Sequence, residues 1–257
     1  MMPWFFEGTA LVVGAVIGSF LNVAIHRLPR DESVVFPSSR CPRCETPIAP
    51  YDNIPILSYL WLRGRCRHCR GVISPRYPIV EAANALLYLL IVTRFGVGPE
   101  ALVWAFYCSA LIVITGIDLD HKLIPDVITL PGMALGLGAS LFMPLTFRDS
   151  LIALLAGGGF FYAVAVASDL ILRKPGMGGG DIKLTAMMGS FLGIEKLAFA
   201  VFAALLTGSL SAIVLMAMGR KTRKDVIPFG PFLALGGVTA LFWGDAMIEW
   251  YLRMSSF

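Results

Sequence analysis

The 257-residue chain draws 57% of its residues from the hydrophobic set and only 15% from the charged set, with a mean hydropathy of +0.75. A soluble domain carries about 25% charged residues, and a soluble core does not explain uncharged runs close to the roughly 20 residues that cross a bilayer. An ordinary water-soluble globule is excluded, a lipid bilayer and no nucleic acid are expected as partners, and the net charge of +4 is modest.

The first apolar run covers about 11–25. Residues 1–10 hold no Lys or Arg and include Glu7, so the basic start of a cleavable signal is missing and the run is expected to stay as a helix. Residues 27–76 follow as the one sizeable extramembrane piece, with seven prolines. Fifty residues without a large core usually need a staple to fold. Here the staple is Cys41-Pro42-Arg43-Cys44 and Cys66-Arg67-His68-Cys69, spaced C-x2-C-x21-C-x2-C. Each pair places two thiolates on one tight turn, and two turns complete a tetrahedron around Zn²⁺. The neighbouring arginines are expected to favour the thiolates. Disulfides and a redox pair are the alternatives, the first disfavoured in a reducing compartment and the second lacking a βαβ context. His68 reads as an exposed loop residue and Cys108, inside an apolar run, as a packing residue.

Eight spanning segments can be drawn: 8–26, 77–94, 99–117, 127–145, 150–172, 183–194, 197–219 and 228–251. The sixth, about a dozen residues, is expected to be tilted, re-entrant or buried against its neighbours. With both termini outside, the inner loops 27–76, 118–126, 173–183 and 220–227 carry 17 of the 21 Lys and Arg residues, as the positive-inside rule demands. The expected fold is therefore an all-α polytopic membrane protein of about eight helices, with a small zinc-ribbon-like cytoplasmic domain between the first two. Its parts are the first helix (1–26), the tetracysteine loop (27–76) and a membrane domain (77–257).

Two inner loops carry acids at membrane depth, where carboxylates are expensive and tend to mark function. Asp118 ends one apolar helix in Ile117-Asp118-Leu119-Asp120-His121-Lys122-Leu123-Ile124-Pro125-Asp126. Asp181 begins another in Pro175-Gly176-Met177-Gly178-Gly179-Gly180-Asp181-Ile182-Lys183-Leu184. Two neighbouring carboxyls share a proton, so that one serves as general base and the other as general acid; with a water between them this is the chemistry of an aspartic protease. The glycine run lets a substrate strand or a neighbouring helix approach closely. Helix capping is the competing reading for Asp181 and Asp126. No Gly-Lys-Ser/Thr follows the glycines, which removes a phosphate loop.

These segments resemble the bacterial type IV prepilin peptidases. The resemblance runs through Gly18-Ser19-Phe20-Leu21-Asn22-Val23, His26-Arg27-Leu28-Pro29, both cysteine pairs and Ile73-Ser74-Pro75-Arg76-Tyr77-Pro78-Ile79-Val80-Glu81. It continues through 118–125 and 176–184 and ends in Ile227-Pro228-Phe229-Gly230-Pro231-Phe232. It implies an intramembrane aspartyl protease of the GxGD type that cleaves basic leaders from prepilins and pseudopilins at the cytoplasmic face of the inner membrane. It also implies methylation of the new N-terminal amine with S-adenosylmethionine. The family pattern places one catalytic acid at Asp181 and the other six residues before the Ile of Ile-Pro, which selects Asp118 over Asp120. For methyl transfer, Glu81 is expected to hold or deprotonate the amine and Asn22 to orient it; the alternatives are an ion pair for Glu81 and an interhelical bond for Asn22. A leader peptidase without methyltransferase activity is the rival enzyme. A transporter would need acids near the midplane and paired broken helices, and no His-Glu-x-x-His exists for a metalloprotease.

Overall fold

The structure is a computed structural model that describes residues 3–172, 178–222, 225 and 227–255. Among these, eight α-helices form and no strand does: α1 (Pro3–Arg27), α2 (Leu57–Trp61), α3 (Arg76–Phe95), α4 (Pro99–His121), α5 (Asp126–Ala139), α6 (Phe147–Leu172), α7 (Gly179–Ala217) and α8 (Gly230–Ser255). Six of them, α1, α3, α4, α6, α7 and α8, are long and apolar enough to cross a membrane. This is the architecture of a multi-pass membrane protein.

Six is fewer than the eight segments drawn from hydropathy, and the difference lies in two places. Helix α5 has 14 residues, short of a full span. Helix α7 takes in both the sixth and the seventh drawn segments. Its 39 residues would run about 58 Å if straight, nearly twice the hydrocarbon thickness. It is not straight, because Gly193 adopts φ 76° and ψ 173° and interrupts the helix. The stretch before the break, 184–193, is buried at every residue, and Ser150 of α6 donates to its Ser190 carbonyl at 2.6 Å.

The chain divides into two compact units, Met1–Val113 and Ile114–Phe257, with the boundary inside α4. In the first unit α1 lies against α3 at backbone distance. A Cβ added to Gly14 would stand 2.8 Å from Ala85 Cα, and one on Gly18 would stand 2.7 Å from Glu81 Cα. Contact this close depends on small residues at i and i+4. Asn84, fully buried, fixes the pair by donating to the Gly14 carbonyl at 2.7 Å and accepting from Ser109 of α4 at 3.0 Å. The loop after α1 is gathered by Arg27, whose guanidinium donates to the carbonyls of Ser33 (2.9 Å) and Pro37 (2.7 Å).

In the second unit α7 packs against α5, α6 and α8. Lys183 in its first turns pairs with Asp126 at the start of α5, with Nζ–O distances of 2.6 and 2.7 Å. Beyond the break, Lys196 pairs with Asp245 of α8 at 2.9 Å.

Candidate functional site

Asp118 lies in the last turn of α4 and is 5% exposed, whereas Asp120 is exposed. Asp181 is the third residue of α7, where a side chain can reach back to the first orphan amide of the helix. Its carboxylate lies beside Gly178, the N-cap, with Oδ2 3.6 Å from where a Cβ on that glycine would stand. The two carboxyls lie within electrostatic reach of one another. Two contacts hold this arrangement. A Cβ on Gly180 would stand 2.8 Å from Ile124 Cβ, so the Ile124-Pro125 turn that follows α4 sits directly on the glycine preceding Asp181. The backbone N–H of Gly230, first residue of α8, donates to Asp118 Oδ2 at 2.9 Å. Close approach does occur at Gly180, but to the side chain of Ile124 in a turn, not to a substrate strand or a neighbouring helix. At Gly179 nothing comes within 4 Å. Pro175, Gly176 and Met177 of the same motif, and Arg223 and Lys224 of the last inner loop, lie outside the described residues.

A second polar site lies in the first unit. A cavity of about 370 Å³ opens between the cysteine loop and the facing ends of α1 and α3, with Asn22, Arg27, Asp52, Tyr59, Tyr77 and Glu81 among its walls. Glu81 is 7% exposed. It accepts at 2.7 Å from the backbone N–H of Ile56 and has the Ser19 side chain beside it. Ile56 makes that bond at φ 62° and ψ −51°, a region a β-branched residue enters only when its surroundings hold it there. Asn22 is also 7% exposed and donates to the carbonyls of Tyr77 (3.1 Å) and Gly18 (3.3 Å). Asn22 and Glu81, singled out separately in the sequence, thus line one cavity. Asn22 makes the interhelical bond that was its alternative reading. Ser19 and Ile56 were not singled out as members of this site. Ser19 had a signal, its place beside Gly18 on the α1 face that meets Glu81; the Ile56 amide had none.

The four cysteines form two turns of one design. Cys41 N–H bonds to the Thr46 carbonyl (3.0 Å) and Glu45 N–H to the Cys41 carbonyl (2.8 Å); Cys66 N–H bonds to Gly71 (2.9 Å) and Arg70 N–H to Cys66 (3.0 Å). Isolated bridges, Arg40 to Pro47 and Arg65 to Val72, close each turn. Glu45 and Arg70, each just after the second cysteine of its pair, both take left-handed φ, 57° and 56°. The four sulfurs lie within 4.8 Å of one another, a set that could hold a metal ion. The Cys41–Cys69 separation of 3.9 Å is near the ~3.8 Å edge of a tetrahedron with Zn–S bonds of about 2.3 Å. Hydrogen bonds ease thiolate formation at two of the cysteines. Hydrogen bonds from the side chain and backbone of Thr46 push the Cys44 thiol down to about 6, and backbone N–H groups of Cys69 and His68 lower Cys66. At Cys69 the Gly71 N–H pulls down, but desolvation and the facing thiols outweigh it and leave the group at about 11. His68 is exposed and Cys108 buried, as the sequence suggested.

Residues 12–95 match the bacterial peptidase A24 N-terminal domain, and residues 105–213 match the type IV leader peptidase family. A prepilin leader peptidase/N-methyltransferase of Aeromonas salmonicida (strain A449) is 38% identical over 279 residues, covering 98% of this chain and 95% of the relative. The chain belongs to this family. A Pseudomonas aeruginosa prepilin leader peptidase/N-methyltransferase is 35% identical, covering 99% of this chain and 96% of its own length. One from Burkholderia pseudomallei (strain 1026b) is 36% identical, covering 91% and 84%. No solved structure matches the chain significantly. Within the prepilin peptidase frame, the N-terminal match contains the cysteine loop, Asn22 and Glu81, and the second match contains Asp118 and Asp181. Gly230 lies beyond both.

Proposed function

We propose that this chain cleaves the basic leader from prepilins or pseudopilins at the cytoplasmic face of the inner membrane and N-methylates the residue so exposed. Membership of the family carries the activity; the observation that carries its location is the buried Asp118 within electrostatic reach of Asp181. One of the two, as carboxylate, takes a proton from water, whose oxygen bonds to the scissile carbonyl carbon. The other, as carboxylic acid, donates to the carbonyl oxygen. When the C–N bond breaks, a proton passes to the leaving nitrogen, which becomes the free N-terminal amine of the mature pilin. Purified Asp118→Asn and Asp181→Asn variants should each lose cleavage of a prepilin in detergent; substantial cleavage by either overturns the assignment.

The methyl-transfer half fits the cavity in the first unit. Its volume lies within the range of small-molecule sites, about 300–1,000 Å³, and its buried acid suits an amine. S-adenosylmethionine supplies an electrophilic methyl group there. Glu81 holds the substrate ammonium and accepts the proton that the amine must lose before its lone pair can bond to carbon. Asn22, braced on the carbonyls of Tyr77 and Gly18, orients that amine. The four cysteines hold a structural Zn²⁺ that shapes the cavity wall and takes no part in the chemistry, since four thiolates leave no open position.

The same reading keeps eight membrane segments, counting α5 and the part of α7 before Gly193 as short ones, with both termini periplasmic. The 17 to 4 division of basic residues supports it.

A further inference from the structure

We infer that Gly230 is a positioning residue for leader cleavage: its backbone N–H anchors Oδ2 of Asp118 and leaves Oδ1 as the oxygen that works on water and substrate. This rests on Asp118 being one of the catalytic pair. The bond is 2.9 Å long, buried, and joins residues 112 apart in sequence. It also explains Pro228-Phe229-Gly230-Pro231, a motif with no role so far.

The first amides of a helix have no partner within it. In α8 the second position is Pro231, which has no N–H. The third, Phe232, bonds back to the Phe229 carbonyl at 3.0 Å, and Leu233 does so at 3.1 Å. Gly230 is left as the N–H that must look outside the helix, and Asp118 is what it finds. Residue 230 must also lack a side chain, because a Cβ there would stand 2.7 Å from Asp118 Oδ2, 3.2 Å from Cγ and 3.4 Å from Cβ. An amide donor with no side chain is what allows the start of a helix to press onto a carboxyl at this range. A carboxyl held by one oxygen is biased against rotation about its last bond, so the other oxygen has a preferred direction before substrate arrives. A plain helix cap would stabilise α8 and leave the chemistry untouched; an anchor governs the rate of the bond-making step.

The test uses the full chain in detergent with a purified prepilin. Gly230→Ala, by pushing the carboxyl off its anchor, should lower kcat by about 100-fold or more, as misplacement of a catalytic group by an ångström does, with KM little changed. Cleavage by Gly230→Ala at the wild-type rate overturns the proposal, and so does a loss confined to KM. If Gly230→Ala does not fold, the amide itself decides. Labelling Phe with ¹³C at the carbonyl and Gly with ¹⁵N marks Phe95–Gly96 and Phe229–Gly230, the two Phe-Gly pairs in the chain. Asp118→Ala should move the Gly230 amide proton upfield and leave Gly96 in place; an unmoved Gly230 signal overturns the anchor. Were Asp118→Asn to cleave normally, the catalytic reading would fall while the amide shift still reported the bond, so the two failures are distinct.

Discussion

Ile124 occupies the space that a side chain at position 180 would need, with its Cβ 2.8 Å from where a Cβ on Gly180 would lie. The turn after α4 and the start of α7 therefore meet with no room for one more carbon, immediately beside Asp181. Overpacking of this kind costs about 1–3 kcal/mol and shifts backbone. Gly180→Ala should lower the cleavage rate by about 100-fold, whereas Gly179→Ala, at a position open to 4 Å, should retain most of it. Equal loss in the two variants, in a single-turnover prepilin assay, would contradict this account.

The Ile56–Glu81 bond separates two roles of the acid. Glu81→Gln keeps an oxygen for the Ile56 amide, so the loop stays attached, but it removes the base. Methylation of a mature pilin peptide should fall by about 10²–10⁴-fold, while leader cleavage continues. Glu81→Ala should in addition leave the Ile56 amide unpaired, at a cost of about 1–3 kcal/mol. Mass spectrometry of the pilin N-terminus reads the first effect and thermal unfolding the second.

Asp52 gives the cysteine loop a defined response to acid. Its carboxylate takes two hydrogen bonds from Arg67, Nε–Oδ2 at 2.7 Å and Nη2–Oδ1 at 2.5 Å, and these hold its pKa below the ordinary carboxyl value. A depressed folded value means that the stabilisation is fully present above the unfolded value of about 3.9 and disappears as pH falls through the lower folded one. Arg67 is partly exposed, so the contribution is small. The difference between wild type and Asp52→Asn in protease resistance of the loop should be constant from neutral pH to about 4 and vanish below. A difference that fades nearer neutrality would rule the pair out as its cause.

Metal removal should act on the loop first. One zinc per chain is expected on metal analysis of the purified protein, and Cys44→Ser should lose it. Stripping the metal with a chelator should expose 40–73 to proteolysis, because two short turns and two isolated bridges form no core of their own. Purified protein without bound metal would remove zinc from the scheme.

The cysteine turns were legible because spacing along a chain carries over directly into geometry, whereas the preference for Asp118 over Asp120 came from the resemblance to the family pattern and not from the residues themselves. Asn22 and Glu81 were legible as polar residues in apolar segments, and burial brought them to one cavity. What was illegible has a common cause: backbone donors leave no mark in composition. The amides of Ile56 and Gly230, which hold Glu81 and Asp118, look like any other amide in sequence. The small-residue face Ala10-Gly14-Gly18-Asn22 was readable at i, i+4 spacing and defines how α1 meets α3, yet hydropathy passes over it. The span count differed for a related reason. Hydropathy scores 183–194 as it would a lipid-facing stretch, although its neighbours cover 184–193 completely.

The break at Gly193 bears on how the enzyme tolerates its lipid surroundings. Before it, residues 184–193 are buried against protein; after it, α7 continues through 194–217 with many apolar side chains exposed. A thicker or thinner bilayer acts on a helix through its exposed apolar length, tilting or bending it at a cost of fractions of a kcal/mol per ångström. In a continuous 39-residue helix that tilt would swing the far end, where Asp181 sits. With the helical backbone interrupted at Gly193, the lower stretch can lean while the upper one stays wedged. An interruption at this point would confine hydrophobic mismatch to one half of the helix and spare the half that carries Asp181.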